Sequence, residues 1–252
     1  MEIDTTEISD ELQRLKDRVQ KHQSELSDSN VPPKRVYRVN GFIARKAQRI
    51  AIFQIILGDL SQANQWFKRA VEHHISRYKA YEEYAIESHS QSHWDSEPTV
   101  LREGFYSALL SGDEGVIQEI VTVSSMMDPE YPNHHRDLLH EYYYVKALAA
   151  LLQDEDARQY IANMRAFIED LNPDLVQYFE PLAIALEGIA THDTEQLHEA
   201  IEQLVEYHAA DIADQPSSAQ EYVCLPALAL SKLAERHGLE VDIESEYIPQ
   251  EL

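Results

Sequence analysis

The chain has one cysteine, seven glycines and ten prolines among 252 residues, and its 21 lysines and arginines are fewer than half its 45 acidic residues. A lone Cys224 makes no internal disulfide and no CxxC metal clamp. So few glycines and prolines do not supply the turns of an all-β domain. The absence of GxGxxG, GxxxxGK(S/T) and GxSxG disfavours a phosphate cradle or a hydrolase elbow. Apolar stretches such as residues 50–53 are far shorter than the roughly 18 residues of a membrane span, which excludes a transmembrane role. No apolar signal core follows Met1, so the expected compartment is the cytoplasm. What is present, 44% hydrophobic and 26% charged residues, suits one large or two small helical domains with a full core.

The net charge of −24 is unevenly distributed. Residues 1–80 carry 14 Lys+Arg and 10 Asp+Glu, whereas residues 81–252 carry 7 and 35. An acidic surface, with arginines outnumbering lysines 13 to 8, fits proteins of salt-loving organisms. General solvation predicts an even spread, however, so the asymmetry also fits a face for a positively charged partner, and it argues against nucleic acid as a ligand there. Both readings stand. The basic run Lys34, Arg35, Arg38, Arg45, Lys46 and Arg49 contains no acidic residue from Asn30 through Gly58. Its simplest account is neutralisation of the first helix or of the acidic C-terminal hairpins.

Apolar spacing predicts a chain of helices. Ile8, Leu12, Leu15 and Val19 form one stripe over residues 6–25. A linker over 27–33 leads to a helix ending at Gly58, and Asp59 or Ser61 opens the next. The run Gly58-Asp59-Leu60-x-x-Ala63-x-x-x-Phe67-x-x-Ala70-Val71 resembles the second half of a tetratricopeptide repeat, although the first half does not match. Turn signals recur at 111–113, 153–155 and 191–193, at uneven steps. Each separates two apolar-periodic runs: 101–110 from 116–123, 138–152 from 157–168, and 175–189 from 197–212. A last helix is expected over about 219–237. The alternation of Leu239, Val241 and Ile243 predicts an extended tail packed on the last helices. Residues 87–98 and 124–133 read as long loops. The expected architecture is all-α, an irregular array of antiparallel helical hairpins with a short extended C-terminal tail. Residues 1–30 form an N-terminal amphipathic helix and linker, and residues 34–252 a single helical domain.

Twelve histidines raise a metal hypothesis through His89 and His93, or His134, His135 and His140. No HExxH, cysteine ligand or aligned carboxylate accompanies them, and His140-Glu141 continues into three tyrosines rather than a second ligand. The reading is therefore no catalytic residue, no metal and no cofactor. The aromatic cluster Tyr131, Tyr142, Tyr143 and Tyr144 lies beside Asp128, Glu130 and Asp137. Consecutive tyrosines point different ways around a helix, so two are expected in the core and at least one outside, where tyrosine near acid suits a protein interface. The candidate protein-binding residues are Asp128, Glu130, Tyr131, Asp137, Glu141 and Tyr143.

Three segments taken in order resemble the immunity 49 family, helical antitoxins of polymorphic toxin systems. They are Phe105-x-x-Ala108-Leu109-Leu110-x-Gly112-Asp113; Tyr131-Pro132 through Asp137 to Leu148-x-x-Leu151-Leu152; and Ala227-Leu228-Ala229-x-x-Lys232-Leu233-Ala234-x-x-x-Gly238-Leu239-x-Val241 with Ile248-Pro249-x-x-Leu252. The resemblance covers roughly residues 40–252. It implies a non-enzymatic protein that binds and neutralises a cognate protein toxin, with Gly112, Asp113, Asp137 and Pro249 structural. A basic nuclease-type toxin would suit an acidic face docked over its active site; neither nucleic acid nor a membrane is expected as a partner. The competing reading is a tetratricopeptide-like interaction scaffold with no toxin partner.

Overall fold

A computed structural model describes residues 5–28, 30–88, 97–127, 129–214 and 222–249. Among these residues the chain is all-α, with eleven α-helices and no strand. The helices are α1 (Thr5–Leu26), α2 (Pro33–Ile56), α3 (Leu60–Ser88), α4 (Glu97–Ser111), α5 (Glu114–Ser124), α6 (Tyr131–His134), α7 (Leu139–Leu151), α8 (Arg158–Ile168), α9 (Pro173–Thr191), α10 (Thr194–Asp214) and α11 (Leu225–Arg236).

The turn chemistry explains where helices stop. At the end of α2 the chain enters the left-handed region at Gly58, with φ +75°, and the amide of Asp59 donates back to the Gln54 carbonyl at 2.9 Å. Asp59 then accepts from the amide of Gln62 at 3.0 Å and opens α3. Asp113 repeats this at the start of α5, accepting from Val116 at 3.1 Å, and Asp193 at the start of α10, accepting from Gln196 at 3.1 Å. Asp154 and His192 supply the left-handed residue at their turns without glycine. All four expected turn signals therefore lie at helix ends.

Packing follows chain order. Helix α1 packs on α2, α2 on α3 and α3 on α4; farther along, α7 packs on α8, α8 on α9 and α9 on α10. Helix α4 packs on α7 and joins the two strings directly, and α11 packs back on α4, α9 and α10 across the junction. The expected stripe of α1, Ile8, Leu12, Leu15 and Val19, is buried and continuous with the same core as Leu186 and Leu228. Burial of each such large aliphatic side chain contributes about 2 kcal/mol before chain entropy is charged against it.

Three boundaries differ from expectation. Helix α3 runs on to Ser88 and α4 starts at Glu97, so the expected loop over 87–98 is helical at both ends. The loop over 124–133 contains the one-turn α6. Helix α11 starts at Leu225 rather than near 219, because the amide of Cys224 donates to the Tyr247 carbonyl at 3.0 Å and Pro226 occupies the first turn. The tail forms no strand among the described residues beyond one isolated bridge, Ser245 to Ile248. It lies across α11 instead, with Leu239, Ile243 and Ile248 buried. No helix of the described residues is long and apolar enough to cross a membrane.

Candidate functional site

The acidic and aromatic residues around α6 and α7 separate into a surface and its support. Tyr131 enters the core completely and stacks on Tyr142, ring centroids 5.4 Å apart and planes within 4°. Tyr142 meets Tyr143 edge-on at 5.3 Å, and Tyr143 stacks on Phe167 of α8 at 5.8 Å. A continuous aromatic row therefore joins α6, α7 and α8. Tyr142 and Tyr144 are buried while Tyr143 is half-buried, as consecutive positions on a helix require. Glu130 and Asp137 are exposed; Asp128 lies outside the described residues. The expectation that Tyr131 and Glu141 also belong to the surface is corrected by this packing: both are buried, because Tyr131 of α6 packs onto Tyr142 of α7 and α4 covers Glu141.

Glu141 belongs to a buried polar network that periodicity alone did not single out. Its carboxylate lies 3.3 Å from the guanidinium of Arg102 and accepts from the Thr99 hydroxyl at 2.8 Å. Arg102 also reaches Glu103 at 3.2 Å and lies over the rings of Tyr178 and Phe179 of α9 at 5.9 and 5.8 Å. The amide of Gln48 on α2 donates to Glu103 and to Ser107, each at 3.3 Å, and Tyr106 donates to the Tyr144 hydroxyl at 3.1 Å. Polar groups from α2, α4, α7 and α9 thus converge on one buried arginine. The signal was available: Thr99, Arg102, Glu103 and Tyr106 stand three and four apart, a helical face with polar residues where a core stripe belongs. Removing one partner from such a network strands a buried charge, so the arrangement fixes how four helices meet.

His140, one of the expected metal candidates, packs edge-on against Phe179 at 4.2 Å. Burial and the nearby Arg102 charge hold its pKa down to about 4. His135 lies against Tyr131 at 4.7 Å, and His89 and His93 fall outside the described residues. Among the described residues no group of three or more histidine, cysteine or carboxylate side chains could hold a metal ion.

Surface charge is segregated along the array. Residues 173–214, the span of α9 and α10, contain ten carboxylates and neither lysine nor arginine. Between these helices lies a cleft of about 630 Å³ whose lining includes Asp174, Glu180, Glu206, Asp211 and Tyr207. Desolvation, followed by the charges of Asp211 and Asp174, raises the pKa of the Tyr207 phenol. At the other end, α2 has no acidic residue. Two of its cations are neutralised by α1, as expected: Arg35 pairs with Glu25, and Arg49 lies 3.8 Å from Glu11. Arg45 and Lys46 instead flank the exposed ring of Phe42, at 5.4 and 5.9 Å from its centroid.

Fold and surface together define an all-α helical array in which α2 and the α9–α10 pair carry opposite charge. The chain belongs to the Immunity protein 49 family, whose family model matches residues 70–252. The match opens inside α3, so α1, α2 and the first turns of α3 lie ahead of it, and the resemblance expected from about residue 40 is narrower at its start. No curated protein and no solved structure matches the chain. Membership of an immunity-protein family points to a toxin-neutralising role with a cognate toxin as partner, and such families are generally non-enzymatic.

Proposed function

We propose that this protein neutralises a cognate protein toxin in the cytoplasm by docking an acidic surface over the toxin's active site, without catalysis, cofactor, nucleic acid or membrane. Family membership over residues 70–252 carries the reading, and the 35 acidic residues of 81–252 support a basic, nuclease-type target. Electrostatic attraction speeds encounter, while a few desolvated aromatic side chains supply most of the affinity. Asp128, Glu130, Asp137 and Tyr143 are the proposed contacts, Asp137 being exposed rather than serving the structural role that the resemblance implied, with the buried Tyr131 and Glu141 holding their helices beneath them.

Co-expression with the product of the neighbouring gene tests this. The expected result is rescue of growth, a stoichiometric complex, and an association rate that falls steeply with salt. Neutralising Asp128, Glu130 and Asp137 together slows association about tenfold at low salt; an unchanged rate would move the contact face elsewhere. Absence of both toxicity and a complex would favour the scaffold reading, which rests on the hairpin of α2 and α3 around Gly58, whose first helix lies ahead of the family match.

A further inference from the structure

We propose that the face of α1 and α2 around Phe42 is a docking surface for the acidic α9–α10 end of a second copy of this chain. Three observations on the basic side carry it. Phe42 is one of the few large apolar side chains left exposed, at 37%, and its ring also stacks on His22 of α1 with centroids 5.7 Å apart. Arg45 and Lys46 lie beside it, and no carboxylate among the described residues forms an ion pair with either, in a protein where acid outnumbers base by more than two to one. The cations crowd one another: after desolvation, Arg77 lowers the pKa of Arg45, and Arg18, Arg49 and Arg45 lower that of Lys46, with Glu11 of α1 offsetting part of the effect. Self-repulsion of this kind is relieved by an anionic neighbour, and an aromatic ring between cations gives that neighbour a surface to desolvate.

The occupant is argued from the chain itself. Ten carboxylates with no lysine or arginine over 173–214 are the complement of six cations with no carboxylate over 33–56. The two regions sit on different strings of the array, α2 packed chiefly on α1 and α3, and α9 and α10 on each other. One copy therefore meets a neighbour head to tail. A long polyanion such as nucleic acid would run on from this patch over the mixed charges of the adjoining α1, Glu11, Asp17 and Glu25 among Arg14, Lys16, Arg18 and Lys21.

Two copies of net charge −24 repel at long range and attract only where complementary faces touch. Sedimentation velocity at submillimolar protein should therefore show association strongest near 0.1 M salt, where the screening length is about 10 Å, and weaker near 1 M. Phe42→Ala weakens association about tenfold, the scale of one interface anchor. Arg45→Glu with Lys46→Glu abolishes it, as does Glu206→Lys with Asp211→Lys, each variant retaining wild-type helicity by circular dichroism. The two double variants mixed associate again, through the intact pair of faces and through the reversed pair, whose charges are exchanged. A wild-type chain monomeric throughout, a mixture that stays monomeric, or association untouched by either charge reversal would overturn the proposal. So would retention of a short DNA duplex lost with Arg45→Glu and Lys46→Glu in a chain that never self-associates, which would make the patch a nucleic-acid surface.

Discussion

His74 lies buried on α3 with neither ring nitrogen hydrogen-bonded. Burial, then the charges of Arg77 and Arg45 and the neighbouring His73, push its pKa down to about 3. His73, whose Nδ1 sits 2.7 Å from the Asn40 side-chain oxygen, is held to about 4 chiefly by burial, in the same direction as His140. These histidines are neutral in the fold and take up protons only on unfolding once the pH drops below about 6.5. The unfolded chain then binds more protons, and stability falls as pH is lowered from there toward the folded values. For His74 alone the loss approaches about 1.4 kcal/mol per pH unit inside that window. Thermal melts from pH 7.5 to 4.5 should show this decline, and His74→Gln should flatten it. Parallel declines in the two proteins would place the acid sensitivity elsewhere. His74 was not legible as a buried group, since neutrality at this position follows from α2 and α4 closing over it rather than from its neighbours in sequence.

Helix ends were the legible part of the elements, because a glycine or Asp signals a turn through local backbone chemistry. Residues 111–113 and 191–193 marked their turns for that reason. The ends of α3 and α4 were not legible: residues 87–98 are polar and lack apolar period, so the continuation to Ser88 and the start at Glu97 left no pattern. How closely two helices approach is likewise a tertiary property. Gly188 on α9 faces α10, where a β-carbon would lie 3.0 Å from the Leu197 amide nitrogen and 3.1 Å from its Cα. Gly188→Ala gains up to about 1 kcal/mol of helix propensity. Overpacking against backbone that has no rotamer to yield costs about 1–3 kcal/mol, so net destabilisation is expected in urea titration. A stabilised variant would show that α9 and α10 slide apart freely.

Over the whole molecule, the segregation of charge leaves the carboxylates of α9 and α10 repelling one another, with Arg165 of α8 relieving Glu187 but no lysine or arginine of their own. Added sodium chloride should raise the urea midpoint, with most of the gain complete by about 0.5 M as the screening length falls below the spacing of surface charges. A midpoint flat from about 0.05 to 1 M would show that these carboxylates are solvated without strain, and would leave partner binding as the better account of the acid. The all-α architecture was readable in advance from apolar periodicity. The docking face was only partly so: exposure of Glu130 and Asp137 and half-exposure of Tyr143, against burial of Tyr131 and Glu141, is decided by α7 packing on the first buried residue and α4 on the second.

The position of α11 has a consequence in time. It is made after both strings of helices that it joins, and chains fold from the N-terminal side as they are synthesised. Helices α1 to α10 therefore emerge from the ribosome with the surfaces of α4, α9 and α10 that will receive Leu228, Leu230 and Leu233 still uncovered. During that interval the nascent chain, its two strings already joined where α4 meets α7, exposes an apolar groove of the kind that chaperones recognise, and the arrival of one twelve-residue helix closes it.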